Sequence, residues 1–250
     1  MDEERKTRDV LAAEKEATKT LRKLITDATE ENRKPITIMI GRYRIENVSN
    51  ASADQIKGNP KADIALLTEQ GREVGFISHK KAGGAKAYQQ YGGISRLAGR
   101  KIYDHPLVEA FVRDLEMWVK QSNDNNVFKS GQAVYRKIPK DPEGRKLVGM
   151  SVYGPEWSGG VPFNRNSVHC IGQGTPILTK VMPSTYSLTF SESIHTANDL
   201  EWAFRDKYAA ILAVTYRGGR KVENKGLIVR NARPGIYPYD FIMNRSSVEI

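Results

Sequence analysis

Apolar residues recur at helical spacing in two stretches of the chain and in short β-like runs elsewhere. Leu21, Leu24, Ile25 and Ala28 predict a helix from about residue 9 to 32, charged all round in its first part and stopped by Lys34-Pro35. The β-branched run 36–40 predicts a strand, and the Asn-, Ser-, Gly- and Pro-containing segment 46–60 a loop. Two further strands follow at about 62–68 and 73–79, joined by a turn at 69–72. A basic, glycine-containing loop (81–84) then leads to a short helix at 85–91, which Gly92-Gly93 ends. Residues 106–121 put Leu107, Val108, Phe111, Leu115, Trp118 and Val119 on one helical face, so Phe111 and Trp118 are expected in a core.

Beyond Asn123 the texture changes. β-like runs are predicted at 133–135, 147–153, 167–171, 177–181, 186–190, 208–216, 226–230 and 239–243, interrupted by a helix at about 198–206. This divides the chain into an N-terminal helical segment (1–34), a compact core (35–122) and a β-rich region (123–250) that completes the sheet. The fold class is α/β or, with its antiparallel content, α+β.

Charge narrows the function. The chain has 39 Lys and Arg against 29 Asp and Glu, a formal net charge of +10, which favours a polyanionic partner held through its phosphates. DNA is the first partner to consider, and charge alone leaves RNA open. No apolar run reaches the roughly 18 residues of a membrane helix, so no membrane is expected. The charged N-terminus lacks an apolar signal core, which predicts a cytoplasmic protein. Cys170 is the only cysteine, which rules out an internal disulfide and argues against a cysteine-based structural zinc site. No phosphate-binding loop, dinucleotide fingerprint, Gly-x-Ser-x-Gly or His-Glu-x-x-His is present.

The chemistry concentrates in Asn59-Pro60-Lys61-Ala62-Asp63 and Ser78-His79-Lys80. An acid on one strand and a lysine at the end of the next can hold a divalent ion and activate water. Ser78 and Lys80 share a strand face, and His79 faces the other way as a packed residue. With the helix–strand–strand–strand–helix order around it, this pattern resembles the PD-(D/E)xK nuclease superfamily, over about residues 10–95. The resemblance implies a restriction-endonuclease-like αβββαβ core with a β-rich C-terminal region. It also implies Mg²⁺, or Mn²⁺ in its place, for DNA phosphodiester hydrolysis. Asp63 would bind the metal, Lys80 would position water or stabilise charge, and Ser78 with Gln90 would support them.

Ser78 stands where the superfamily places Asp or Glu. Three explanations stay open. A different acid has moved in, with Glu73 and Glu14 as candidates and Glu73 the better one, so that Asp63 and Glu73 are the expected metal ligands. A backbone carbonyl and a neighbouring polar group suffice. Or the site is inactive and the fold is kept for binding. Glu73, five residues before Ser78, reaches the same face only through a bulge, for which Gly75 is suited. Glu14 lies seven residues before Leu21, on the apolar stripe of the first helix, where the end of the helix is the plainer reading.

Nucleic-acid contacts are expected from Lys81 and Lys86, from Arg165 in the polar segment 162–166, and from Arg217, Arg220, Lys221 and Lys225 in a basic hairpin. His169 and Cys170 read as packed. The resemblance suits a phage-encoded or restriction-type endonuclease acting in a host cytoplasm, and leaves a homodimer open. The alternative is a non-catalytic DNA-binding or virion structural protein on a degenerate nuclease fold.

Overall fold

The computed structural model describes residues 2–53, 61–88, 90–93, 100–121, 132–157, 163–216 and 232–250. Helix α1 (Asp2–Asn32) buries the stripe Ala17, Leu21, Ile25 and Ala28. A period near 3.6 places these residues on one face, and apolar burial holds the helix to the strands that follow. Those strands are β1 (Ile36–Ile40), β2 (Tyr43–Val48), β3 (Asn50–Ser52), β4 (Ile64–Leu67) and β5 (Glu73–Lys80). After the short helix α2 (Gly84–Ala87) come β6 (Gly92–Gly93), α3 (Arg100–Tyr103), α4 (Pro106–Gln121), β7 (Gln132–Lys137) and α5 (Pro142–Tyr153). The order closes with β8 (Cys170–Gln173), β9 (Pro176–Met182), β10 (Thr185–Phe190), β11 (Ser193–Thr196), β12 (Ala210–Tyr216), β13 (Ala232–Pro238), α6 (Tyr239–Met243) and β14 (Ser246–Glu249).

The described residues form a mixed α+β fold with three mixed sheets, ordered β2-β1-β10-β9, β11-β8-β5-β4-β3 and β14-β7-β12-β13-β6. The described chain forms two compact units, Met1–Ala87 with Glu156–Asp199, and Tyr88–Pro155 with Leu200–Ile250. The first contains the first two sheets and a core drawn from α1, β1, β2, β3, β4, β5, β8 and β10. The second contains the third sheet, packed through Ala133, Ile211, Ala213, Tyr237 and Ile242.

These units divide the chain differently from the expected boundaries at 34/35 and 122/123. The reason is strand pairing: β8, about 90 residues downstream, lies parallel to β5 in register Ile77–Cys170 to Lys80–Gln173. Strand β1 pairs with β2 and β10, not with the β4–β5 hairpin. Part of the expected loop 46–60 is instead β3, which pairs with β4. Residues 147–153 and 239–243 are helical, not β, and the strand expected at 226–230 lies outside the described residues. Asp141 caps α5, accepting the Gly144 N–H at 2.7 Å, and Pro142 fits its first turn. The helix expected at 198–206 is two 3₁₀ turns, Glu201–Phe204 and Asp206–Tyr208. Among the described residues, no helix is long and apolar enough to cross a membrane.

Candidate active site

Strand β5 is central in its sheet, with β4 antiparallel on one side and β8 parallel on the other. Its residues from Gly75 to His79 are buried, and Lys80 emerges half-buried at its end. The segment before β4 is pinned against it. The Ala62 N–H donates to the Arg165 carbonyl, and the Asp63 N–H to the Ile77 carbonyl, both at 2.9 Å.

This pinning sets Asp63 beside Ser78. The Ser78 hydroxyl donates to Asp63 Oδ2 at 3.0 Å, and the His79 backbone N–H donates to the same oxygen at 2.7 Å. Two donors on one oxygen fix the carboxylate's orientation. Ser78 is 1% exposed and acts on Asp63. A carboxylate at that position would meet Asp63 as a like charge. Replacing Ser78 by Ala removes one of the two donors, and the His79 N–H remains. The expected outcome is a roughly tenfold loss of any Asp63-dependent rate, with little change in melting temperature.

Glu14 reaches the same place from α1. Burial pushes its carboxyl up to about 7, the neighbouring Asp63 adds to the shift, and Lys80 opposes it. The apolar stripe of α1 therefore extends one further position, to an acid within electrostatic reach of Asp63 and Lys80. Lys61, also half-buried, is a fourth charged member. Burial lowers its amine to about 7, Lys80 lowers it further and Asp63 raises it. Lys61 was not singled out from the sequence, although its spacing of two from Asp63 was the available signal.

Glu73 is elsewhere. The expected bulge is present, since the β4–β5 register slips between Leu66–Gly75 and Leu67–Glu73. Yet five residues of strand, about 17 Å, still separate Glu73 from Ser78. Its carboxylate accepts from Arg165 through both Nε, at 2.8 Å, and the adjacent guanidinium nitrogen. The metal-ligand expectation for Glu73 is corrected by this distance and pairing. The base-reading expectation for Arg165 changes too, because its guanidinium fork is engaged with Glu73. Arg165 and Glu73 are only 23% and 26% exposed, so cutting either strands a charge. Arg165→Ala is expected to cost about 2 kcal/mol, read as a lowered urea midpoint at unchanged m-value.

Gln90 belongs to the second unit, beyond the end of α2. Its side-chain amide donates to the Gly92 carbonyl at 3.1 Å, within that unit. Helix α2 stops at Ala87, too short to present residue 90 on the same element. Lys86 is exposed on α2 and Lys81 half-buried in the loop before it. Arg217, Arg220, Lys221 and Lys225 lie outside the described residues. His79 is packed, its Nε2 2.9 Å from the Gly174 carbonyl and its ring tilted against Phe190. His169 accepts the Phe76 N–H through Nδ1 at 3.2 Å and lies tilted against Phe163, with burial pulling it down to about 4. Cys170 is fully buried.

Among the described residues no three His, Cys, Asp or Glu side chains are grouped as a metal cluster. Among the described residues, the carboxylates of Asp63 and Glu14 are electrostatically coupled, with neutral Ser78 hydrogen-bonded to the first. Oxygen donors of this kind suit Mg²⁺, which usually keeps several waters and takes one or two carboxylates.

In comparison with known proteins, the chain is 29% identical over 205 residues to the type II restriction enzyme CviJI of Paramecium bursaria Chlorella virus IL3A. The match covers 78% of this chain and 52% of that enzyme, so the chain spans about half the length of its relative. No protein-family model and no solved structure matches the chain.

Proposed function

We propose that the protein is a metal-dependent DNA endonuclease of restriction-enzyme type, built on a PD-(D/E)xK-like site with a displaced acid. The observation that carries the reading is Asp63 held by the Ser78 hydroxyl and the His79 N–H beside the end of β5, with Lys80 on the same strand face as Ser78 and Glu14 within electrostatic reach. The similarity to a type II restriction enzyme and the +10 charge support DNA as the substrate. The order α1, antiparallel β3–β4–β5, then parallel β8 supports the restriction-endonuclease-like core.

In this reading Asp63 and Glu14 hold a divalent ion, Mg²⁺ or Mn²⁺. When bound, the ion stabilises charge on the phosphate and lowers the pKa of water. Ser78 and the His79 N–H keep Asp63 turned toward it. The Lys80 amine orients the attacking water or offsets negative charge developing on the phosphate. Lys61 adds a second cation beside Asp63. Glu14 thus takes the place of the acid that Ser78 lacks, and the displaced-acid explanation is favoured over the other two. The experiment is cleavage of plasmid DNA with Mg²⁺, Mn²⁺ or EDTA.

Ser78 itself favours a second reading, a protein that binds DNA on this fold without cutting it. Salt-sensitive binding with no cleavage in any metal would select it.

A further inference from the structure

The end of β5 is enclosed by hydrogen bonds from a segment about 100 residues away in sequence. Lys80 lies opposite Gln173 in the β5–β8 register, and its carbonyl accepts the Gly174 N–H at 2.9 Å. Gln173 is fully buried. Its side-chain N–H groups donate to the carbonyls of Lys81 at 3.2 Å and Gly84 at 2.8 Å, and its Oε1 accepts from the Ser193 hydroxyl at 3.3 Å. Glu192, just before β11, answers the loop's donors. Its carboxylate accepts the Gly83 N–H at 2.9 and 3.0 Å and the Gly84 N–H at 3.1 Å. The Glu192 N–H in turn donates to the Gln173 carbonyl at 3.2 Å.

The loop these two residues grip has little conformational preference of its own. Gly83 and Gly84 sit at φ +134° and +62°, backbone that glycine adopts freely and leaves as freely. Such a turn directly after Lys80 would leave the lysine loosely aimed unless something outside it fixed the path. A buried amide donating twice is costly to disturb, and a charged acceptor on two N–H groups strengthens the hold.

We propose that Gln173 and Glu192 are positioning residues: they fix the turn from Lys81 to Gly84 and through it the aim of Lys80. The inference rests on Lys80 being the catalytic lysine of the proposed nuclease. Glu192 is the residue to change, because it is exposed and its loss spares the core.

The test compares wild type, Glu192→Ala and Glu192→Gln by two readouts. One is amide hydrogen exchange over residues 81–88, which needs no cleavage. The other is the single-turnover rate of plasmid cleavage, which does not depend on the folded fraction, together with KM. Glu192→Ala is expected to exchange about tenfold faster at Gly83 and Gly84 and to cleave about tenfold more slowly at nearly unchanged KM. Glu192→Gln, whose amide oxygen still accepts, should recover most of both. Unchanged exchange in the alanine variant would overturn the tether and leave the nuclease reading intact. Faster exchange with a wild-type single-turnover rate would overturn the positioning role. A wild-type protein that cuts no DNA would overturn the nuclease reading and the positioning role with it.

Discussion

Asp63→Asn and Lys80→Ala should each lower metal-dependent DNA cleavage about 1,000-fold while the protein stays folded. The asparagine keeps the size of Asp63 and can still accept from Ser78 and the His79 N–H. What it loses is the charge that, in the proposed site, would hold a divalent ion. Lys80 is half-buried at a strand end, so alanine there removes the amine with little loss of core packing. The check is a single-turnover rate on plasmid DNA beside a thermal melt for each variant. Normal melting with lost cleavage assigns the chemistry to these two side chains. Near wild-type cleavage in both variants would place the active site elsewhere.

The second large effect is expected at Glu14. Glu14→Gln should weaken the Mg²⁺ requirement constant at least tenfold, whereas Glu73→Gln should leave it unchanged and reduce stability. Glu73 is committed to Arg165 at the opposite end of β5, and Glu14 stands with Asp63. The pH dependence separates them further. Burial, with Asp63, raises the Glu14 carboxyl to about 7. Below that pH the group is mostly protonated and must release a proton to bind metal, so Mg²⁺ affinity should rise with pH up to about 7 and level off above it. Glu14→Gln should abolish the part of this dependence that Glu14 carries. Mg²⁺ titrations of cleavage at pH 6, 7 and 8 measure it. A Glu73→Gln variant that loses metal dependence while Glu14→Gln retains it would reverse the assignment.

Local pattern carried part of this structure. The stripe from Ala17 to Ala28, the β4–β5 hairpin and the face shared by Ser78 and Lys80 are short-range features, readable from periodicity and parity. Glu14 was visible as an acid on that stripe, but its neighbours were not, because they depend on how α1 lies across β5. Gln173 and Glu192 were missed for the same reason, since their partners lie 89 to 109 residues away. Residues 147–153 read as β because Leu147, Val148, Val152 and Tyr153 form an apolar run buried nearly all round. In such a run helix and strand look alike, and the cap at Asp141 was the overlooked cue. Glu73 misled because the bulge beside it is real, while its pairing with Arg165 is set by a distant turn.

The most direct measurement is incubation of the purified protein with supercoiled plasmid in Mg²⁺, Mn²⁺ or EDTA, with Lys80→Ala alongside. Nicked or linear DNA that requires the metal and is lost in the variant is the predicted result. Intact plasmid under every condition, or cleavage that persists in EDTA or in Lys80→Ala, would contradict a metal-dependent nuclease centred on Asp63, Glu14 and Lys80.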